Sequence, residues 1–296
     1  MANLKEIRIR MASVRSTQQV TGAMKMVSAA KLRKAQDSII RIRPYAKNLQ
    51  SIISNLYRSL GQELKTPYSP RENVSRILII PISSNRGLCG GFNANVIKKT
   101  VELTETEYSR AYQEGAVDIL AIGKKTADGL KARGIRLIGV NTSVYDKLTY
   151  EEVEEFGQSI LDSYSNKTYD RVILVYNQFR NAAVQRLVAE QLLPISQEKE
   201  PDKNRLSHIV SDYIFEPSLE HVVQTVVPLS LKIQFFKALL DSTASEHGAR
   251  MTAMHKATDN AASLLKELNL TYNKARQASI TNEILEIVSG ANALNG

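Results

Sequence analysis

The chain of 296 residues has no tryptophan, one cysteine, four histidines and only 6% aromatic residues. Each shortage excludes something. A lone cysteine, Cys89, cannot close an internal disulfide, so a disulfide scaffold is ruled out and a reducing compartment is expected. Sparse aromatics fit a helix-rich chain better than a β-sandwich. No run of 18 uninterrupted apolar residues occurs, so no transmembrane helix is expected. The opening "MANLKEIRIRMASVR" lacks an apolar signal core and a cleavage pattern. HExxH, CxxC, GxSxG and GxxxxGK[ST] are all missing. His208, His221, His247 and His255 are scattered, and nothing pairs Cys89 with a base. These residues predict no catalytic set, no metal and no cofactor.

Negative charge is scarce in one place only. Residues 1–60 hold 12 Lys and Arg against Glu6 and Asp37, a net of +10, whereas the whole chain carries +9. The excess therefore sits entirely in the first segment. A solvated basic helix face is one reading. An acidic protein partner, nucleic acid or an anionic membrane surface are the others.

That segment has a helical period. Leu4, Ile7, Met11 and Val14 fall at steps of three and four, and the frame resumes from Leu32 and Ala35 through Ile39, Leu49 and Ile53 to Leu60. Such spacing is a coiled-coil seam. Between the two runs the same frame reads Gln18, Thr21, Lys25 and Ser28, while the apolar residues move to Val20, Met24 and Val27. A seam that changes phase predicts changed packing or a changed partner. Pro44 should kink the helix, because it lacks an N–H donor.

The C-terminal segment repeats the pattern from Leu240 through Ala244, His247, Met251 and Met254 to Tyr272, Ala275 and Ser279, with many small residues. After Ser279 the stripe shifts to Ile280, Ile284, Ile287 and Ala291, widened by Leu285 and Val288. Pro217 and Pro228 place the start of this helix just after Pro228. Two such helices can pair antiparallel, and the second should outrun the first. An exposed apolar tip around Ile280–Val288 would mark a protein partner.

Residues 73–200 have another rhythm. "RILIIPI", "VDILAIG", "IRLIGV" and "RVILVYNQ" are short, nearly unbroken apolar runs separated by helical patterns near 92–112, 124–133 and 149–164. Buried parallel strands look like this. "AVQRLVAEQLLPI" supplies a further edge strand. The fold class is therefore α/β: a long antiparallel coiled coil of the N- and C-terminal helices plus a small doubly wound Rossmann-like domain. The expected division is 1–60 with 207–296 for the coil and 73–200 for the sheet domain.

The first strand opens into "SSNRGLCGG", which suggests a phosphate cradle. The spacing of Gly87, Gly90 and Gly91 is GxxGG rather than GxGxxG, and Asp118 sits at the wrong end of the second strand for a ribose contact. A tight turn that needs glycine, or a contact surface presenting Arg86, explains the loop better than a nucleotide.

Three stretches together carry a family. "IRIRMASVRSTQQVTGAMKMVSAAKLRKAQ", "SSNRGLCGGFN" and "LTYNKARQASITNEILEIVSGA" resemble, in this order, the γ subunits of F-type ATP synthases, and the likeness covers essentially the whole chain. Asn85 stands where an aspartate is common in the family. The cysteine-pair insert of chloroplast-type members is lacking, so thiol regulation of that kind is not implied. The resemblance implies a central-stalk rotor, turned by the proton-driven membrane ring and driving conformational change in the β subunits that make or hydrolyse ATP. It implies α, β and ε subunits and the c-subunit ring as partners, no catalytic group of its own, and a peripheral place on the cytoplasmic face of the inner membrane. Carried over by motif, Arg276, Gln277 and Thr281 would meet a catch loop of β, and Met24 and Lys25 would lie beside that loop on the first helix. Ile284, Leu285, Ile287 and Val288 would turn in an apical bearing. Arg86 would face the stator and Tyr213 the foot, where ε and the c ring dock.

Overall fold

The computed structural model describes residues 4–60, 66–71, 74–145, 148–195 and 218–294. Twelve elements follow in order: α1 (Leu4–Leu60), β1 (Ile77–Pro81), α2 (Phe92–Glu105), α3 (Ser109–Gln113), β2 (Val117–Ile122), α4 (Lys124–Lys131), β3 (Gly139–Asn141), a 3-10 turn (Ser143–Tyr145), α5 (Tyr150–Ser165), β4 (Arg171–Phe179), β5 (Gln185–Leu193) and α6 (Leu219–Leu294). They divide into two compact units, Met1–Ala29 with Arg250–Gly296 and Ala30–Ala249.

The unit Ala30–Ala249 is built on a five-stranded sheet in the order β3-β2-β1-β4-β5. The first four strands are parallel and β5 runs antiparallel to β4 at the edge. Side chains alternate between faces along a strand. Ile77 and Ile79 of β1 therefore join Val96 and Ile97 of α2 and Leu130 of α4 on one side. Leu78 and Ile80 join Val153, Ile160 and Leu161 of α5 on the other. Burial on both faces is why these strands read as unbroken apolar runs. "IRLIGV" contributes less than its composition suggests, since only Gly139–Asn141 pair.

The C-terminal helix begins earlier than its prolines imply. α6 starts at Leu219, so Pro228 lies inside it, as Pro44 lies inside α1. Each proline frees one carbonyl four residues back. Those residues, Ile40 and Gln224, are exposed, so water can take the freed bond. The extra turns have a purpose in packing. Val223, Val227, Leu231 and Phe235 recur at steps of four and complete the core over the α5 face of the sheet. Phe235 is fully buried against Phe156, with ring centroids 5.7 Å apart. By composition alone α6 contains a window apolar enough to cross a membrane, but half of it is buried inside the protein.

Two of this unit's ion pairs also bind backbone carbonyls. Arg43 Nη2 donates to Asp241 Oδ1 and to the carbonyl of Phe179, both at 2.6 Å. Arg71 donates to Asp170 Oδ1 at 2.8 Å and to the carbonyls of Tyr169 and Tyr164, while its guanidinium lies 4.3 Å from the Tyr164 ring centroid.

In the unit Met1–Ala29 with Arg250–Gly296, the two helical segments run antiparallel. Arg8 meets Tyr272, Thr21 meets Thr258 and Lys25 meets His255, so facing residues have numbers that add to about 280. The expected change of phase does not occur. Thr21 and Ser28 keep the seam and are buried, while Val20 and Val27 stay outside at 55% and 57% exposure. Local hydrogen bonds make that arrangement possible. Ser28 donates to the carbonyl of Met24 at 2.8 Å, Thr21 to that of Gln18 at 3.1 Å and Thr258 to that of Met254 at 2.8 Å. A hydroxyl satisfied by its own helix can be buried at small cost.

Candidate functional site

The glycine-rich loop packs against the start of α4 and takes up its amides. The N-terminal amides of α4, which would bind an anion, already have partners within the loop. Lys124 N donates to Asn85 Oδ1 at 3.0 Å, Lys125 N to the carbonyl of Ser84 at 3.1 Å and Thr126 N to Ser83 Oγ at 3.1 Å. Gly123 allows this closeness. Its φ is +102°, and a Cβ there would stand 2.5 Å from the carbonyl oxygen of Ser83. At the start of α2, Ser84 N donates to Asn93 Oδ1 at 3.1 Å, and Asn93 Nδ2 donates to the sulfur of buried Cys89 at 3.2 Å. The loop is thus a closed turn. Arg86 stands exposed on it, and its carbonyl accepts from Ser84 Oγ at 2.6 Å.

Among the described residues the perturbed groups lie mostly on buried tyrosines and aspartates. Burial pushes the Asp241 carboxyl up, and Arg43 offsets only part of that. Burial likewise raises the phenols of Tyr145 and Tyr176, the latter also under the influence of Glu190. Tyr169 is pushed up to about 12 by burial and by its bond to Asp118. Among the described residues no three His, Cys, Asp or Glu side chains could hold a metal ion. An open depression of about 800 Å³ lies beside Arg76, Tyr108, Arg110 and Glu114. Its arginines are already engaged, Arg76 with Asp118 and Arg110 with Glu114.

The contact residues expected from the sequence fall at two separate levels of the helix pair. Met24 and Lys25 are half-buried, and Lys25 Nζ lies 3.5 Å from His255 Nδ1. Arg276 and Gln277 are exposed further along α6. Twenty-one residues separate His255 from Arg276, roughly 30 Å at 1.5 Å per residue. Met24 and Lys25 therefore do not lie beside Arg276 and Gln277. The register of an antiparallel pair is a long-range property, and neither motif encodes it alone.

Thr281 is exposed one turn beyond Gln277 and donates to its carbonyl at 2.9 Å. From Ile280 to Asn292 every residue is exposed. Ile284, Leu285, Ile287 and Val288 are exposed large apolar side chains, Ile287 the most at 71%. Tyr213 lies outside the described residues. Sequence reasoning missed His255 as a partner of Lys25. Its place between the seam residues Met254 and Thr258 was the available signal.

A family model for ATP synthase matches residues 3–294. The ATP synthase gamma chain of Flavobacterium johnsoniae is 52% identical over 296 residues, covering all of both chains. The chain belongs to the ATP synthase γ-chain family. A chain from the central stalk and c-ring structure of the Tetrahymena thermophila mitochondrial ATP synthase is 28% identical, with a TM-score of 0.60 over 80% of this chain and 99% of that one. A chain from the Euglena gracilis mitochondrial enzyme matches with a TM-score of 0.68 at 22% identity, over 98% of this chain and 94% of that one, and shows the shared fold. As a γ chain this protein is a subunit of the ATP synthase and belongs to its rotating central stalk. The family accounts for an α/β fold with long terminal helices.

Proposed function

We propose that this γ chain transmits rotation between a c-subunit ring and the catalytic β subunits and supplies no catalytic group. The C-terminal stretch of α6 carries the reading. Ile280–Asn292 is exposed throughout, and its large apolar side chains find no partner among the described residues. A run of exposed large apolar side chains marks a surface that another chain covers. A sleeve formed by α and β suits Ile284, Leu285, Ile287 and Val288 as a bearing, because apolar contacts without directional bonds resist turning least.

Arg276, Gln277 and Thr281 then meet a catch loop of β just before the bearing. Met24 and Lys25 meet β at the second, separate level, where the basic N-terminal helix faces acidic loops. Arg86 offers a further cation to the stator. The ε subunit and the c ring dock at the foot, to which Tyr213 is assigned, on the cytoplasmic face of the inner membrane. In this scheme residues 1–60 and 207–296 serve as the shaft and 73–200 as its globular part. A rotor face drives a β subunit only by binding its open and closed states unequally. Reversing such an equilibrium from 1:99 to 99:1 takes about 5.5 kcal/mol, which several polar contacts and a shaped apolar face can supply together.

Reconstitution tests the scheme. Purified α and β with this chain should elute as one complex and hydrolyse ATP, whereas the chain alone should not. Equal ATP hydrolysis by α and β with and without the chain, together with separate elution, would overturn it.

A further inference from the structure

His255 Nδ1 is contested. Lys25 Nζ lies 3.5 Å from it across the helix pair, and Asp259 Oδ2 lies 3.3 Å from it one turn along α6. An ammonium can only donate a hydrogen bond and a carboxylate can only accept one. The same ring nitrogen therefore cannot serve both. With Nδ1 bare, the ring accepts from Lys25. With Nδ1 protonated, it donates to Asp259 and can no longer accept from Lys25. All three side chains reach solvent, His255 at 56% and Asp259 at 65% exposure and Lys25 in part. Protons can thus come and go without unfolding.

We propose that His255 is a proton-operated switch on Lys25. In its neutral form, with the hydrogen on Nε2, it holds the ammonium at the seam. When the imidazole gains its second proton, Nδ1–H swings the bond to Asp259, and Lys25 is released toward whatever faces that level of the shaft. The charged groups here are few. α1 presents Lys25 to the ring, and its neighbours on that face, Thr21, Met24 and Ser28, carry no charge. α6 presents Asp259 four residues on, with Lys256 beside it and exposed. Histidine is the side chain whose charge changes in the range where cells shift their pH. Acidification would therefore strengthen the grip of this level on an acidic partner surface, and alkalinisation would loosen it. That last step rests on the proposal that Lys25 faces β.

Amine labelling of the full chain tests the switch. Lys25 and Lys256 are modified by an acylating reagent between pH 8 and pH 6, and their ratio is read by mass spectrometry, so that the common effect of pH on lysine cancels. We expect the Lys25 to Lys256 ratio to rise about threefold on acidification, the scale a solvent-exposed pair can supply, and to stay flat in His255→Gln. Nitrogen-15 spectra of the labelled ring should show Nδ1 bare at pH 8, and a mixture of tautomers in Lys25→Gln. A flat ratio in the unmodified chain, or a tautomer unchanged by Lys25→Gln, would overturn the switch. Labelling after assembly with α and β separates the two ideas. If Lys25 switches in the free chain but is labelled equally in the complex, the switch stands and the placement of Lys25 against β fails.

Discussion

The two stretches Leu231–Glu246 and Ile280–Asn292 belong to one helix and have opposite surroundings. In the first, Leu231, Ile233, Phe235, Leu239 and Leu240 are buried, and so are the polar Asp241, Ser242, Ser245 and Glu246. In the second nothing is buried, although Ile280, Ile284, Leu285, Ile287 and Val288 make it as apolar as many cores. Apolar content therefore does not say what a helix does. The first stretch spends its surface on its own chain and even takes charge inside. The second keeps its surface for another molecule. Substitutions should separate the two by readout: stability of the isolated chain for the first, behaviour of the complex for the second.

The largest effect is expected at Phe235. Truncation to Ala removes a fully buried ring from between α5 and the sheet. The isolated chain should lose about 3–5 kcal/mol, and a denaturant titration of the chain alone would show it. A loss under about 1 kcal/mol would mean that this stretch is not a core helix.

Next comes the buried charge. Arg43→Ala leaves the Asp241 carboxyl inside the protein without its cation, and its Oδ2 has no hydrogen-bond partner already. Breaking a buried pair costs about 3–5 kcal/mol in general, and the partial exposure of Arg43 lowers the expectation to about 2 kcal/mol. The pH dependence is sharper. Asp241 holds its proton more tightly folded than unfolded. Its contribution to stability is thus complete below the carboxyl titration of the unfolded chain and is lost as pH rises through its raised folded-state value. Asp241→Asn should remove that loss and leave the neutral-pH melting temperature equal or higher. Asp170 runs the other way. Burial works to raise it, but Arg71 and the amides of Arg76 and Ser75 outweigh that and hold it low. Its contribution is present above the unfolded carboxyl titration and is lost as pH falls through the lowered value, so Asp170→Asn should cost stability at neutral pH and little in acid. Melting curves from pH 3 to pH 8 would check both signs.

These contrasts show what a sequence can reveal here. Strands buried on both faces announce themselves, because nothing polar is admitted: Ile77–Pro81 and Val172–Tyr176 could be read directly. The exposed tip was equally plain, since the stripe after Ser279 has no counterpart on α1. Pro228 misled because proline marks helix ends by habit, whereas the packing of Val223 and Val227 outweighs one lost hydrogen bond. The polar seam misled for another reason. Thr21 and Ser28 are bonded by their own helix, so burial is open to them, and the apolar Val20 and Val27 are left outside. Hydropathy assumes that each side chain seeks its own kind of surroundings, and it fails where the backbone satisfies the hydroxyl. The level of Lys25 relative to Arg276 was out of reach, since register between distant segments is written in neither.

The seam itself offers a smaller test. The Oγ1 atoms of Thr21 and Thr258 lie 2.9 Å apart across the seam. Replacing both by Val exchanges a satisfied polar pair for apolar groups of the same shape. The isolated chain should be equally stable or more stable by about 0.5 kcal/mol. If the double variant lowers ATP hydrolysis of the reconstituted complex without lowering the melting temperature of the chain, the polar seam serves rotation and not folding. A fall in melting temperature of several degrees would show that the hydroxyl pair is structural.

The smallest effect on the isolated chain, and the most telling, belongs to Ile287. Ile287→Ala removes a side chain that is 71% exposed, so the chain alone should change by no more than about 0.5 kcal/mol. In a complex with α and β the same residue should be covered. Losing three carbons from a covered apolar surface then weakens the contact by about 1–2 kcal/mol, or roughly tenfold in affinity at that site. Co-elution at limiting concentration would detect such a change, and adding Ile284→Ala should deepen it. Unchanged assembly in the double variant would mean that the tip turns in a sleeve that never grips it. The apolar stripe would then need a partner other than α and β.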